Sequence, residues 1–106
     1  MKKITLGFPI SGTKISIPFQ AICSLTDKKF SGNVIVEYYP AKNVTLEFVD
    51  IEDQINKYCT RKITVEDLVD WVFSEVKKSI PLKKLKVTVD VLKSNAHCPV
   101  QVWLEK

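Results

Sequence analysis

Cys23 is the residue of this chain whose type is best suited to covalent chemistry, and it lies in the segment Phe19–Phe30. A cysteine attacks carbon only as the thiolate, and a nearby cation such as Lys28 or Lys29 favours that form. By residue type alone, an inert buried thiol is the more common role. The same holds for Cys59 and Cys98.

Glu66 is the second candidate, because the pattern around it predicts the first turn of a helix. Backbone N–H groups and the helix dipole stabilise a carboxylate there, often for structural reasons alone. A carboxylate in this position can also accept two parallel hydrogen bonds from the N–H edge of a guanine-like ring. The residues themselves leave both uses open.

The three cysteines do not form a Cys-x-x-Cys pair, so a zinc ribbon or redox motif is not expected and no metal site is predicted. The first residues lack the long apolar region of a secretory signal, and no apolar run approaches the roughly 20 residues of a membrane helix. We therefore expect a cytoplasmic protein with reduced thiols and no membrane partner.

The charge is mildly basic, with 16 Lys and Arg against 12 Asp and Glu and a net charge of +4. Such a balance favours encounter with a phosphate backbone, although a lysine-rich surface without a ligand has the same composition. Several of the lysines are clustered in the sequence, as Lys28-Lys29, Lys77-Lys78 and Lys83-Lys84-Lys86.

The 106 residues fit one domain, 1–106, with the predicted order strand, strand, helix, helix, strand, strand. Asn33–Tyr39 and Val44–Val49 are predicted to form a hairpin, and Leu85–Leu92 and Val100–Glu105 a second one. Before them, Ile4–Leu6 and Lys14–Ile17 are expected as short edge strands, broken by Pro9, Gly12 and Pro18.

The two helices are predicted between the hairpins. The longer one is capped by Thr64 with Asp67, carries apolar residues at helical spacing and stops at Pro81. A shorter helix is expected over Asp50–Tyr58, with Asp50 as its cap.

The strand residues alternate between an apolar face and a mixed one. The apolar face, expected to cover the helices, comprises Val34, Val36, Tyr38, Leu85, Val87, Val89, Val91, Val100, Val102 and Leu104. The mixed face suits a wet subunit interface, a tunnel lining or an ordinary solvated surface, and comprises Glu37, Tyr39, Glu47, Lys86, Thr88, Asp90, Gln101 and Trp103.

Several segments together resemble the nitrile reductase family of queuosine synthesis, over roughly residues 15 to 106. They are Ile22-Cys-Ser-Leu-Thr, the strand with Val-Glu-Tyr-Tyr-Pro40, the strand reaching Leu46-Glu47, and Arg61-Lys-Ile-Thr-Val-Glu66-Asp-Leu. In its compact length the chain is still more similar to the short archaeal relatives of that family, the QueF-like archaeosine synthases.

The resemblance implies an α+β tunnelling fold (T-fold), a ββααββ unit with an antiparallel sheet and helices on one face. Such units assemble into a barrel of identical subunits, with stacked rings expected and active sites between subunits. The implied function is an amidinotransferase that converts 7-cyano-7-deazaguanine in tRNA to archaeosine through a cysteine thioimide. Ammonia is the expected nitrogen donor.

The resemblance also implies site residues: Cys23 as nucleophile, and Glu66 and Glu47 as substrate-binding groups. The family acid before the phenylalanine is replaced by Lys29, which leaves Asp27 as the proton shuttle. The family His-Glu pair is here Val65-Glu66, and His97 is expected in a loop far from it.

The resemblance implies no cofactor, because the lysine-rich stretch that serves nicotinamide in the reductases is replaced by Glu47–Glu52, which lacks lysine. Two alternatives stay open. One is a catalytically silent purine- or tRNA-binding protein of this fold, and the other is a nitrile reductase or pterin-type enzyme acting on a small substrate.

Overall fold

The computed structural model describes residues 1–94 and 97–106. Two α-helices pack on one face of a five-stranded sheet, and a two-stranded sheet lies beside it. In chain order the elements are β1 (Lys3–Thr5), β2 (Thr13–Cys23), β3 (Lys29–Pro40), β4 (Val44–Leu46), α1 (Phe48–Tyr58), β5 (Lys62–Ile63), α2 (Val65–Ser79), β6 (Leu82–Val91) and β7 (Val100–Glu105).

The main sheet has the strand order β5-β2-β3-β6-β7, and its four long strands are antiparallel to their neighbours. The two-residue strand β5 pairs in parallel with the end of β2, which makes the sheet mixed. The predicted α+β fold, with both helices on one face, is confirmed.

The core follows the predicted alternation along the strands. In register, Val34 pairs with Val89 and Val36 with Val87, so their side chains share one face and are fully buried. The same face continues onto β2, where Ile17, Phe19 and Ala21 are buried. Cys23 is the next residue in this inward row and is half-buried, so its side chain lies on the helix side of the sheet.

The first hairpin was predicted with the wrong partners. β3 pairs along its length with β2 and β6, whereas β4 is only three residues long and pairs with β1. The reason is that β2 extends to Cys23 and buries an apolar row against β3, although Pro18 marked a break in the sequence. Pro18 is tolerated because β5 covers only the last two residues of β2, so the rest of that edge needs no N–H donor.

The second hairpin is confirmed, since β6 and β7 pair antiparallel from Lys86–Glu105 to Val91–Val100. Of the loop between them, Asn95 and Ala96 lie outside the described residues. Leu104 is on the predicted face but is 37% exposed, because β7 is the edge strand of the sheet.

The long helix α2 is confirmed with its capping box. The Asp67 N–H donates to Thr64 Oγ1 at 3.0 Å, and the Thr64 N–H donates to Asp67 Oδ2 at 2.9 Å. The helix ends at Ser79, ahead of Pro81.

The shorter helix begins earlier than predicted. Glu47 is its N-cap, and its carboxylate accepts from the N–H groups of Val49 (3.0 Å) and Asp50 (2.7 Å). Asp50 lies inside the first turn and instead accepts from the Lys2 N–H at 2.7 Å. Glu47 was predicted to lie on the mixed face of the sheet. That prediction is wrong, because β4 ends at Leu46 and Glu47 caps α1.

Across the described part of the chain, neither helix is long and apolar enough to span a membrane.

Candidate active site

The parallel pairing of β2 with β5 brings the two halves of the predicted site together. Cys23 is the register partner of Ile63, and the Ser24 N–H donates to the Ile63 carbonyl oxygen at 3.2 Å. Parallel strands leave the sheet at the same edge, so the chain after Ile63 turns into α2 beside Cys23. Glu66 follows Ile63 by three residues. We call this region, with Cys23, Asp27, Ile63 and Glu66, the Cys23 end.

The loop after Cys23 is closed by backbone hydrogen bonds. The Cys23 N–H donates to the Lys28 carbonyl at 2.9 Å, and the Asp27 N–H donates back to the Cys23 carbonyl at 2.9 Å. Asp27 has φ of 57°, in the left-handed region that aspartate tolerates better than most residues with a Cβ. The loop therefore folds tightly over the thiol.

This loop lowers the pKa of the Cys23 thiol. The largest cause is a hydrogen bond from the Thr26 side chain, followed by the backbone groups of Leu25 and Thr26, while partial burial and the Asp27 charge oppose it. Hydrogen bonds to the charged form favour ionisation. The sequence pointed to the cations of Lys28 or Lys29, but the loop hydroxyl and N–H groups are responsible. Burial acts in the other direction on Cys59 and raises its pKa to about 11.

Asp27 lies near Cys23, as its opposing effect on the thiol pKa indicates. Its carboxylate forms an ion pair with Lys62 of β5, with 2.7 Å between Oδ1 and Nζ. Both side chains are largely exposed, so the pair adds little to stability. The pair joins the loop to β5. Lys62 was not predicted as a site residue, because its ion pair with Asp27 forms only once β2 and β5 pair.

Glu66 is exposed in the first turn of α2, as predicted. The neighbouring Asp67 caps the helix, so this structural task does not fall to Glu66. Among the described residues Glu66 makes no hydrogen bond or ion pair. Its two oxygens are available to a ligand.

An aromatic stack joins the end of α1 to α2, a contact that was not predicted from the sequence. Tyr58, at the end of α1, stacks on Trp71 of α2 with centroids 4.4 Å apart and planes 9° apart. The Arg61 guanidinium lies 4.9 Å from the Tyr58 centroid. Burial raises the pKa of Tyr58 above its usual range. The stack packs α2 against the end of α1, five residues after Glu66.

Glu47 lies at the other end of the subunit. It follows Leu46, whose N–H donates to the Tyr38 hydroxyl at 3.1 Å. Tyr38 pairs with Thr13, ten residues before Cys23 on β2, which corresponds to roughly 30 Å along the strand. Both Glu47 oxygens also cap α1. Within one chain, Glu47 and Cys23 do not meet.

His97 was expected in a loop far from Glu66, and its ring lies against Phe30, at the same end of the sheet as Cys23. Its centroid is 6.1 Å from that of Phe30, and Phe30 pairs with Ala21, two residues before Cys23. The Leu92 N–H donates to the Ser31 carbonyl oxygen at 2.9 Å, so the loop after β6 begins next to Phe30. Distance along the chain concealed this proximity.

A cavity of about 270 Å³ opens beside the Cys23 end. Its lining comprises Gln20, Ala21, Ile22, Lys29, Cys59 and Thr60. A larger groove of about 450 Å³ lies at the opposite end of the strands and contains none of the predicted site residues. Over the described residues, no group of three His, Cys, Asp or Glu side chains is arranged to hold a metal ion.

No family model matches the sequence, and no curated protein does. Among solved structures, the chain is similar to the archaeosine synthase QueF-Like in its apo form. The TM-score is 0.81 at 23% sequence identity, and the match covers 92% of this chain and 95% of the other. The protein therefore has the T-fold of the archaeosine synthase QueF-Like.

Proposed function

We propose that this protein is a tRNA-modifying amidinotransferase that converts 7-cyano-7-deazaguanine in tRNA to archaeosine, with ammonia as nitrogen donor. The observation that carries the proposal is the pairing of Cys23 with Ile63, because it joins a thiol of lowered pKa to the helix turn that presents Glu66. The shared fold with an archaeosine synthase adds support.

Glu66 would anchor the base. Its exposed carboxylate has no partner in the described chain and can accept two parallel N–H hydrogen bonds from a guanine-type edge. The target base would leave its stack to reach this turn, as in other enzymes that modify a base within a nucleic acid.

Cys23 would supply the covalent step. The thiolate sulfur attacks the nitrile carbon, a C–S bond forms, and the nitrile nitrogen takes up a proton to give a thioimide. Ammonia then adds to the same carbon. The C–S bond breaks, the thiolate leaves, and the product carries an amidine. The balance is one nitrile plus one ammonia, without oxidation or reduction.

Asp27 would move the proton between these steps. It is near the thiol, and its ion pair with Lys62 places its carboxylate beside β5. A carboxylate at this place can accept the proton of ammonia and return one to nitrogen. Asp27→Asn is then expected to leave thioimide formation possible while it slows amidine release by roughly 100-fold, because a general acid–base group is lost.

The test is intact-protein mass spectrometry after incubation with 7-cyano-7-deazaguanine. We expect a mass increase equal to the nitrile base in the wild-type protein and in Cys59→Ser and Cys98→Ser, and none in Cys23→Ala. Addition of ammonia should discharge the adduct. If no adduct forms with the free base or with tRNA that carries it, the covalent mechanism is wrong.

The assembly proposed with this function is a homo-oligomeric barrel. In the described chain, β7 has an unpaired outer edge, and β2 pairs with β5 only at Ile22 and Cys23. Two such edges can join by strand pairing between copies. Glu47 would then reach the base only from a neighbouring subunit, and a mixture of Cys23→Ala and Glu47→Ala subunits should recover activity that neither variant has alone.

A binding protein without catalysis is the second candidate, favoured by one observation. Lys29 stands where the family has its acid, and Asp27 is engaged by Lys62. Under this candidate, Cys23→Ser leaves affinity for the base and tRNA unchanged, and no nitrogen donor gives turnover. A nitrile reductase would instead require nicotinamide binding, which a cofactor titration detects.

A further inference from the structure

One end of the sheet gathers lysines from the end of α2, from the start of β6 and from the residue that follows β7. β6 begins there, β7 ends there, and the two are tied by hydrogen bonds between Leu85 and Lys106, at 2.9 and 3.2 Å. The last turn of α2 adds Lys77. We call this the lysine cluster; its members are Lys77, Lys83, Lys84, Lys86 and Lys106.

The cluster lines two grooves. The smaller, of about 250 Å³, is lined by Lys77, Lys83, Lys84 and Lys106 together with the apolar side chains of Phe73, Leu82 and Leu85. The larger, of about 450 Å³, shares Lys84 and Lys106 and adds Lys86. The larger groove also contains Glu37 and Glu105, whereas the lining of the smaller one has no carboxylate side chain.

No member of the cluster forms an ion pair within the described chain. The ion pairs found there join Lys14 to Glu37, Lys62 to Asp27 and Lys78 to Glu75, and none includes a cluster member. Lys77 and Lys106 are close enough that their contact lowers the pKa of Lys77. Like charges crowded together favour a bound anion between them.

The arrangement fits a chain of phosphates better than one small anion. Successive residues of a strand point to opposite faces, and Lys83 lines only the smaller groove while Lys86 lines only the larger. Lys83 and Lys86 therefore face different grooves, which Lys84 and Lys106 connect. A nucleic-acid backbone presents phosphates in sequence and can follow the cluster from one groove to the other.

We propose that the lysine cluster docks the phosphate backbone of the RNA substrate, a step that rests on the function proposed above. β6 runs from this cluster to the Cys23 end, and its ten residues span roughly 30 Å. The docked segment is therefore remote from the reacting base in the same subunit. The contacts position the RNA without reading its sequence.

The experiment measures binding of unmodified tRNA by fluorescence anisotropy across a salt series. Lys84→Ala/Lys106→Ala is compared with Lys57→Ala/Lys93→Ala, which removes the same charge elsewhere. We expect the cluster variant to weaken binding uniformly across tRNA sequences and to reduce the slope of log K against log salt by about 2, with the control slope unchanged.

Equal slopes in the two variants would overturn the docking surface. So would binding of anionic phospholipid vesicles or inorganic phosphate, but not RNA, by the cluster. Cys23 adduct formation with the free nitrile base is scored in the same variants and should match the wild type. Loss of the adduct reaction alone overturns the proposed function, while loss of the slope difference alone overturns this inference.

Discussion

Cys23 and Ile63 are register partners across the short parallel contact of β2 and β5. Only two residue pairs form this contact, Ile22 with Lys62 and Cys23 with Ile63. The contact nevertheless sets where α2 starts, because Thr64 caps the helix directly after Ile63. The nucleophile and the proposed base anchor are thus positioned by the same strand ladder.

Substitutions of the two acids in the first turn of α2 should have different effects: one should lower stability and the other should abolish base binding. Asp67→Ala removes the capping box and is expected to lower the free energy of unfolding by about 1 kcal/mol while base binding persists. Glu66→Ala should leave the unfolding free energy nearly unchanged and abolish base binding. Urea unfolding and calorimetric titration with the nitrile base measure the two effects. The opposite pattern would contradict the role of Glu66.

Thiol alkylation should follow the pKa order of the cysteines. The rate depends on the thiolate fraction, so Cys23, whose pKa is lowered by the loop, should reach half its maximal rate at a lower pH than an ordinary cysteine, and Cys59 only near pH 11. Thr26→Val removes the largest cause of the lowered pKa and should move the Cys23 inflection to higher pH. Peptide mapping after iodoacetamide treatment resolves each site. Thr13→Val, at the other end of β2, is the control, and an unmoved Thr26→Val profile would disprove the contribution of the hydroxyl.

Gly32 is required where β3 and β6 pack most closely. A Cβ at this position would collide with the carbonyl oxygen of Asp90 on the neighbouring strand, whereas a Cβ at Gly7 meets nothing within 4 Å. Gly32→Ala should therefore lower the free energy of unfolding by about 3 kcal/mol or prevent folding, and Gly7→Ala should have little effect. Thermal unfolding of the two variants makes the comparison. Similar melting temperatures would argue against the strand register between Gly32 and Val91.

The Tyr38 hydroxyl ties β4 to the core. It forms a hydrogen bond of 2.6 Å with Thr45 Oγ1 and accepts the Leu46 N–H at 3.1 Å, in a buried position. Tyr38→Phe leaves these groups without a partner and should lower the free energy of unfolding by about 1–3 kcal/mol. Tyr39→Phe, on an exposed ring, is the matched control. Guanidinium unfolding monitored by circular dichroism distinguishes the two, and equal losses would refute the buried bonds.

The sequence predicted those features that depend on local pattern. The capping residues Thr64 and Asp67, the stop at Pro81 and the apolar alternation of β3 and β6 all follow from short-range rules, and the structure bears them out. The resemblance of the segments around Cys23 and Glu66 predicted the fold. The roles of Cys23, Asp27, Glu66 and Glu47 remain predictions.

The partners of each element required the tertiary structure. Pro18 suggested a break, but β2 runs through it, because pairing with β3 outweighs the local signal at an edge that needs no donor. Asp50 looked like a cap from its position, yet Glu47 has the carboxylate that reaches the first free N–H groups.

Chemical environment was likewise decided by contacts between distant residues. The sequence by itself determined which residues could react and which fold would carry them. Only the folded chain decided that Thr26 lowers the Cys23 pKa, that Lys62 pairs with Asp27, that His97 returns to the Cys23 end, and that Lys106 joins Lys77 and Lys84. The physical reason is that hydrogen bonds and charges act over a few ångströms in space, while a sequence records only separation along the chain.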